Sequence, residues 1–336
     1  MSATDISKPR IVQSDKPESH NTPPNQRNLL TRAGGVIRAL RAYFSKPGDW
    51  GVMLTARRCL IAVRLMVLYP TACAKVFNAL SSPKLFRLVR KAPAILIKFL
   101  WTIYSNSLST DQRAQVVANH YEFLQRRLCT GFLERIIDGR EQLWHIDTGA
   151  NALGLTIEVM HGTHGEGELA IHFQVDGADI YVLSFVIVPA GLFRLEGDHA
   201  LFITRLQGTR GLADVVKLAT KAVGDVSPAL VLVAAVQGIT KALGIRHVVG
   251  ISARAQICTG GEQPVTQDFL SAYDDFWASI EGQRMPSGEF YFPVPFPEKP
   301  LARIKQNHRQ RVRIRRAFRR VVTLHVKARI ECVREP

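Results

Sequence analysis

With 336 residues, 46% of them apolar, the chain is long and hydrophobic enough for a sizeable core, which excludes disorder as its overall state. Its formal charge of +16 is unevenly spread: residues 1–110 carry 17 Lys/Arg against 4 Asp/Glu, residues 301–336 carry 12 against 2, and the stretch between carries 15 against 22. An acidic body with basic ends points to an anionic membrane surface or nucleic acid as what the ends meet.

Residues 1–30, rich in Ser, Pro, Asn and charge, read as a disordered tail and lack the apolar core of a secretory signal. Residues 31–108 read as short basic amphipathic helices broken at Pro47-Gly48, Pro70, Pro83 and Pro93. Arg57, Arg58, Arg64, Lys75, Lys84, Arg87, Arg90 and Lys91 recur between their apolar positions, a pattern suited to a membrane interface or to packing on a larger domain. No stretch is long enough to span a bilayer: 59–73 contains Arg64 and Pro70, and 92–104 is short and carries Lys98. The five widely spaced cysteines form no CxxC, which argues against a zinc site or a disulfide framework and fits reduced thiols in the cytosol.

Residues 109–300 form the expected main domain. Residues 111–140 have helical spacing, with Val116 or Val117, Tyr121, Leu124 and Leu128 on one stripe. Five strands follow at 144–148, 153–159, 167–175, 179–188 and 199–206, separated by Gly-, Asp- and Asn-containing turns that predict an antiparallel meander. Helices are expected over 212–223 and over 227–243, the second with Ser227 as N-cap, Pro228 in its first turn and Gly244 past its end. A strand over 246–252 follows, with another expected at 255–259, a helix over 266–280 and an extended segment over 289–296. The class is α+β: an antiparallel-rich mixed sheet with covering helices.

In 301–336, Ile314, Phe318, Val321, Leu324 and Ala328 share one helical stripe, and Arg309, Arg313, Arg316 and Arg320 share another, with Arg311, Arg315 and Arg319 beside it. This basic amphipathic helix suits an anionic leaflet, where each basic residue contributes on the order of 1 kcal/mol. Nucleic acid is the weaker partner, since neither exposed aromatics beside the arginines nor a reading module accompanies them.

Taken together, EVM…GELAIHFQ, LSFVIV, RLQG, LATKAV, PALVLVAAVQGI, LGIRHVVGIS, YDDFW and PLARIKQNHRQRVRIRRAF resemble the VirK/YbjX family over roughly residues 85–330. The resemblance implies a Gram-negative protein associated with virulence and envelope remodelling, with no established reaction and so no catalytic residue to carry over. In architecture, the meander, turn and helix before LGIRHVVGIS are also similar to the GNAT acyltransferases. That likeness implies an acyl-CoA cofactor whose pyrophosphate is cradled by Arg205, Gln207, Gly208, Thr209, Arg210 and Gly211, at a helix N-terminus with unpaired N–H donors. Here RLQGTRG departs from the GNAT turn, with two residues between its glycines in place of one, and two helices intervene before the next strand.

Acyl transfer would need a base and an acid, for which Glu158 and Tyr273 are the chemically suitable residues; each also reads as an ordinary strand or core position. His145, His161, His164 and His172 lack metal-ligand spacing, Asp274 and Asp275 diverge by about 100° on a helix, and no metal is expected. Two functions follow. One is an envelope- or virulence-associated protein, cytoplasmic and peripheral to the inner membrane, binding anionic lipid or a partner protein; the other is an acyl-CoA-dependent, GNAT-like acyltransferase acting on an envelope component.

Overall fold

The computed structural model describes residues 66–160, 166–257 and 267–335, together with residues 60, 63 and 64. The expected tail over 1–30, most of the basic region before Pro70, His161, His164 and the end of the strand expected at 255–259 lie outside the described residues.

The described chain begins with α1 (Pro70–Leu80) and α2 (Phe86–Lys91), followed by 3-10 turns at Pro93–Leu96 and Lys98–Leu100. Next come α3 (Thr110–Arg127) and α4 (Thr130–Asp138). Ser109 starts α3 with a capping box, its hydroxyl accepting from the Gln112 N–H while the Gln112 side chain accepts from the Ser109 N–H. The helical spacing expected across 111–140 is interrupted at Leu128, where the backbone bridges to Arg334 near the C-terminus. A meander then runs through β1 (Glu141–Asp147), β2 (Ala152–Val159), β3 (Leu169–Val175), β4 (Ala178–Pro189) and β5 (His199–Gly208).

Helices α5 (Ala213–Ala222) and α6 (Pro228–Leu243) cross to β6 (His247–Gly250). Ser227 holds the extended N-cap conformation of α6 and Gly244 ends it at φ +72°, as expected, although the serine side chain makes no capping bond. The segment expected to be a strand from Ala255 is instead a 3-10 turn over Ala253–Ala255 as far as it is described. α7 (Gln267–Leu270) passes through a π-helical stretch (Ser271–Asp275) into α8 (Phe276–Ser279). The short β7 (Gln283–Arg284), β8 (Phe290–Pro293) and α9 (Gln306–Glu331) complete the chain.

All eight strands form one sheet, in the order β1-β2-β3-β4-β5-β6-β8-β7. Among neighbouring strands only β5 and β6 run parallel, joined by the crossover through α5 and α6; the other pairs are antiparallel. Ile157, Leu169, Phe185 and Ile187 meet Leu124 of α3, Phe132 and Ile136 of α4, Ile239 and Leu243 of α6, and Ile330 of α9. Four helices therefore share one apolar layer on the sheet. Residues of α1 and α2, among them Val76, Leu80 and Leu88, belong to the same core, so this stretch is packed onto the sheet domain.

Strand β4 outruns β3, whose last partner on it is Phe185. Helix α3 takes over the exposed edge: His120 Nδ1 accepts from the Ile187 N–H and Asn119 Nδ2 donates to the Ile187 carbonyl, each at 3.0 Å. Two helix side chains thus do the work of a missing strand, which a buried backbone requires.

Candidate functional site

Of the segment expected to cradle phosphate, Arg205, Gln207 and Gly208 belong to β5 and pair with β4, and only Thr209, Arg210 and Gly211 form the turn before α5. The segment's residues are largely engaged with the protein. Arg205 pairs with Glu166 at 2.5 Å, and its Nε donates to Gln207. Thr209 is tied to β4, its N–H to the Ile180 carbonyl and its hydroxyl to the Asp179 carbonyl. A Cβ on Gly208 would lie 3.0 Å from the Tyr181 ring, so the side of the glycine that a side chain would fill is already occupied by an aromatic. Gly211, at φ +81° with nothing within 4 Å of a Cβ, and exposed Arg210 are the open part of the turn.

Beyond Gly250, β6 leaves β5, and the two parallel strands fork. Two side chains bridge the gap: Gln256 Nε2 donates to the Thr204 carbonyl at 2.9 Å, and the Tyr273 hydroxyl accepts from the Leu206 N–H at 3.5 Å. Tyr273 is buried, its ring tilted against Phe269, and serves the backbone of β5 there. Asp274 accepts from the Ala253 N–H and pairs with Arg284, so this helix face is also structural.

Glu158 lies on β2, facing away from Ile157 and the helical layer. His172, on the neighbouring strand β3, has Nε2 2.9 Å from Glu158 and Nδ1 3.0 Å from Asp179, off the linear geometry of good hydrogen bonds. Arg140 reaches both carboxylates, at 3.2 Å from Glu158 and 2.7 Å from Asp179. Burial would raise the Glu158 pKa, but the close approach of His172 and the hydrogen bond and charge of Arg140 outweigh it and bring the carboxyl to about 2. A base that weak is poorly matched to proton abstraction near neutral pH. Glu158 and Tyr273 are therefore not brought together: one belongs to a four-residue charge cluster, the other to the fork.

The sequence reading missed a buried polar cluster. Glu168, fully buried, faces Lys98 at 2.5 Å and accepts hydrogen bonds from the Tyr104 and Tyr121 hydroxyls. Burial alone would raise the Glu168 pKa; the charges of Lys98 and His120, with hydrogen bonds from Lys98 and Tyr104, hold it below the usual carboxylate range. Burial and the Glu168 charge push both phenols well above their ordinary value. The sequence carried one signal for this cluster: a lysine at 98 within an otherwise apolar run. A separate polar cavity of about 130 Å³ at the amino ends of β5 and β6 is lined by Arg127, Arg246, Glu196, Asp198 and His199. Its mixed charge selects no ligand class.

The arginine helix has the clearest surface character. Its buried side is Val322, Val326 and Ile330, with Phe318 edge-on to Trp144 of β1. Apart from Phe318, the apolar stripe read from sequence faces the other way: Ile314, Val321 and Leu324 are 51%, 46% and 64% exposed. Arg309 donates to the Ile304 and Ala302 carbonyls, Arg311 and Arg315 face Asp225, and Arg316, Arg319 and Arg320 surround Glu298, while Arg313 is exposed. No helix among the described residues is long and apolar enough to cross a membrane, and no described cluster of three or more His, Cys, Asp or Glu is arranged to hold a metal.

A family model described as "Protein of unknown function (DUF535)" matches residues 54–327. No curated protein and no solved structure matches the chain.

Proposed function

The chain belongs to that family, which is the VirK/YbjX family, and we propose that it works as a peripheral protein of the bacterial inner membrane, held at the cytoplasmic face through anionic lipid. The observation that carries this reading is the outward stripe of α9, where Ile314, Val321 and Leu324 meet solvent beside Arg313 and Arg320. A helix packed only to complete a fold gains nothing from turning three large aliphatic side chains to water. Partial burial of each in a headgroup region is worth about 1 kcal/mol, and each nearby arginine adds about as much against an anionic leaflet.

The test is co-sedimentation with phosphatidylcholine vesicles, with and without phosphatidylglycerol. Binding should require the anionic lipid, weaken with salt, and fall sharply in Ile314→Glu/Leu324→Glu, whose exposed positions leave the fold intact. Equal recovery with neutral and anionic vesicles, or full binding by the double variant, would defeat the reading.

A second reading, an acyl-CoA-dependent transferase of GNAT type, has one observation in its favour: the forked parallel pair β5/β6, followed on β5 by the turn and α5. Gln256 and Tyr273 already bridge that fork, and Tyr181 covers Gly208, so the reading ranks second. Calorimetry with CoA and acyl-CoA decides it: saturable micromolar binding would promote this reading, and absence of heat from folded protein would retire it.

A further inference from the structure

Three arginines of α9 converge on a single carboxylate. Glu298 has Arg316 Nε at 3.4 Å, Arg319 Nη2 at 3.7 Å and Arg320 Nη2 at 3.3 Å. Charge-assisted N–H···O bonds close to about 2.7–2.9 Å when well made. All three contacts are slack. Each guanidinium offers five N–H donors; besides the carboxylate's two oxygens, the Lys299 carbonyl accepts from Arg316 Nη2, which still leaves donors in excess. The shortfall shows at Arg319, whose Nε is buried without a hydrogen-bond partner among the described residues; Arg315 Nε is in the same state. The charge balance agrees. Burial lowers the Arg319 pKa, Glu298 raises it, and Arg316 and Arg320 lower it again, as expected where one negative charge serves three positive ones.

The cluster borders the exposed apolar stripe, since Arg320 and Leu324 stand four residues apart on neighbouring positions of the helix surface. A ligand reaching Arg320 therefore arrives from the same side as whatever covers Leu324. Resting on the membrane reading above, we propose that Arg316, Arg319 and Arg320 form a site for the phosphomonoester headgroup of a membrane lipid, with Glu298 as the resident counter-ion that the headgroup displaces. A phosphomonoester brings three terminal oxygens and a charge of about −1.5 to −2, so it meets more of the donors and more of the charge than Glu298 does. A phosphodiester offers two free oxygens and one negative charge. It matches the carboxylate already present and gains nothing by replacing it.

The experiment uses the full chain and phosphatidylcholine vesicles containing either phosphatidic acid, a monoester, or phosphatidylglycerol, a diester, adjusted to equal surface potential. Phosphatidic acid should bind about fivefold more tightly or better, the effect of one additional well-paired basic residue. Arg316→Gln/Arg319→Gln should lose that preference while keeping the phosphatidylglycerol binding that depends on Leu324. Glu298→Gln, a variant that only removes the counter-ion, should strengthen binding to phosphatidic acid. Equal binding to both lipids by the wild-type chain, with Leu324 still required, would overturn the headgroup site and leave the membrane reading standing. No binding to either anionic vesicle would remove both. Glycerol 3-phosphate supplies the remaining arm: if it binds in solution as tightly as the vesicles do, the ligand is a soluble phosphate and the lipid assignment falls.

Discussion

Gly238 of α6 lies directly against Thr323 of α9: a Cβ built on the glycine would come within 2.7 Å of the threonine carbonyl oxygen and 2.9 Å of the Val326 Cβ. The two helices meet backbone to backbone at this point, and the Thr323 hydroxyl donates to the Ala234 carbonyl across the same contact. A glycine within a helix costs about 1 kcal/mol relative to alanine, so its use here reflects the close approach. Gly238→Val should lower the free energy of unfolding by about 2–3 kcal/mol, because rigid backbone on the facing side cannot yield cheaply. Gly238→Ala should also destabilise despite its better propensity. Chemical denaturation reads both, and an alanine variant more stable than wild type would show that the helices separate freely.

The Lys98–Glu168 pair calls for a different kind of test, because its two charges are buried together. Removing one partner strands the other. Lys98→Met should cost about 3–5 kcal/mol. The double change Lys98→Met/Glu168→Gln should recover much of that loss, since no lone charge remains and the amide oxygen still accepts from one phenol while its NH2 donates to the other phenol's oxygen. Denaturant midpoints of the two single variants and the double form the required cycle. Additive losses would mean that the two side chains do not act as a pair.

His120 gives this region a pH dependence with a defined sign. Its burial lowers its pKa to about 4, against an ordinary value near 6.5, with Glu168 opposing and Lys98 reinforcing the shift. The unfolded chain therefore binds the proton more readily than the folded one, and stability is full above about pH 6.5 and is lost as pH falls toward 4. Between pH 6.5 and 5 the loss should be about 2 kcal/mol, in a window where Glu168, held below the ordinary carboxylate range, has not begun to contribute. His120→Gln keeps an acceptor for the Ile187 N–H and should flatten that window. Urea titrations at the two pH values measure it, and an unchanged slope in the variant would place the dependence elsewhere.

The meander was legible in the sequence because turns of Gly, Asp and Asn separate runs with a two-residue period, and the helices of 213–222 and 228–243 because their apolar spacing differs from it. The parallel pairing of β5 and β6 was not legible. It follows from a two-helix crossover whose landing position depends on packing between residues far apart in the chain. The candidate base Glu158 was visible as a strand carboxylate, but its partners Arg140, His172 and Asp179 come from the residue preceding β1 and from β3 and β4, and only the register brings them together. In α9 a period of three to four gave an apolar stripe that the structure splits, with Phe318 packed on Trp144 and Ile314, Val321 and Leu324 turned outward. Periodicity alone did not say which of two apolar faces would be buried, and the side with Val322, Val326 and Ile330 packs on α6 and the sheet.

The contact between Gly208 and Tyr181 separates the two meanings of the β5–α5 turn. If the glycine exists to let a phosphate approach the backbone, any side chain at 208 removes ligand binding and the Tyr181 ring is incidental. The geometry favours packing, since the nearest atoms to a built Cβ are Cε2 and Cδ2 of Tyr181, at 3.0 and 3.3 Å. Gly208→Ala should then cost about 1–2 kcal/mol by crowding the ring. Tyr181→Leu removes the crowding atoms, so the alanine should cost much less in that background. The interaction energy of the double-mutant cycle should be at least about 0.5 kcal/mol, the size expected for residues in direct contact. Thermal or urea unfolding of the four proteins supplies it. A cycle that closes to zero would mean that Tyr181 does not determine the need for glycine, and the open side of the turn, at Arg210 and Gly211, would regain its claim as a ligand site.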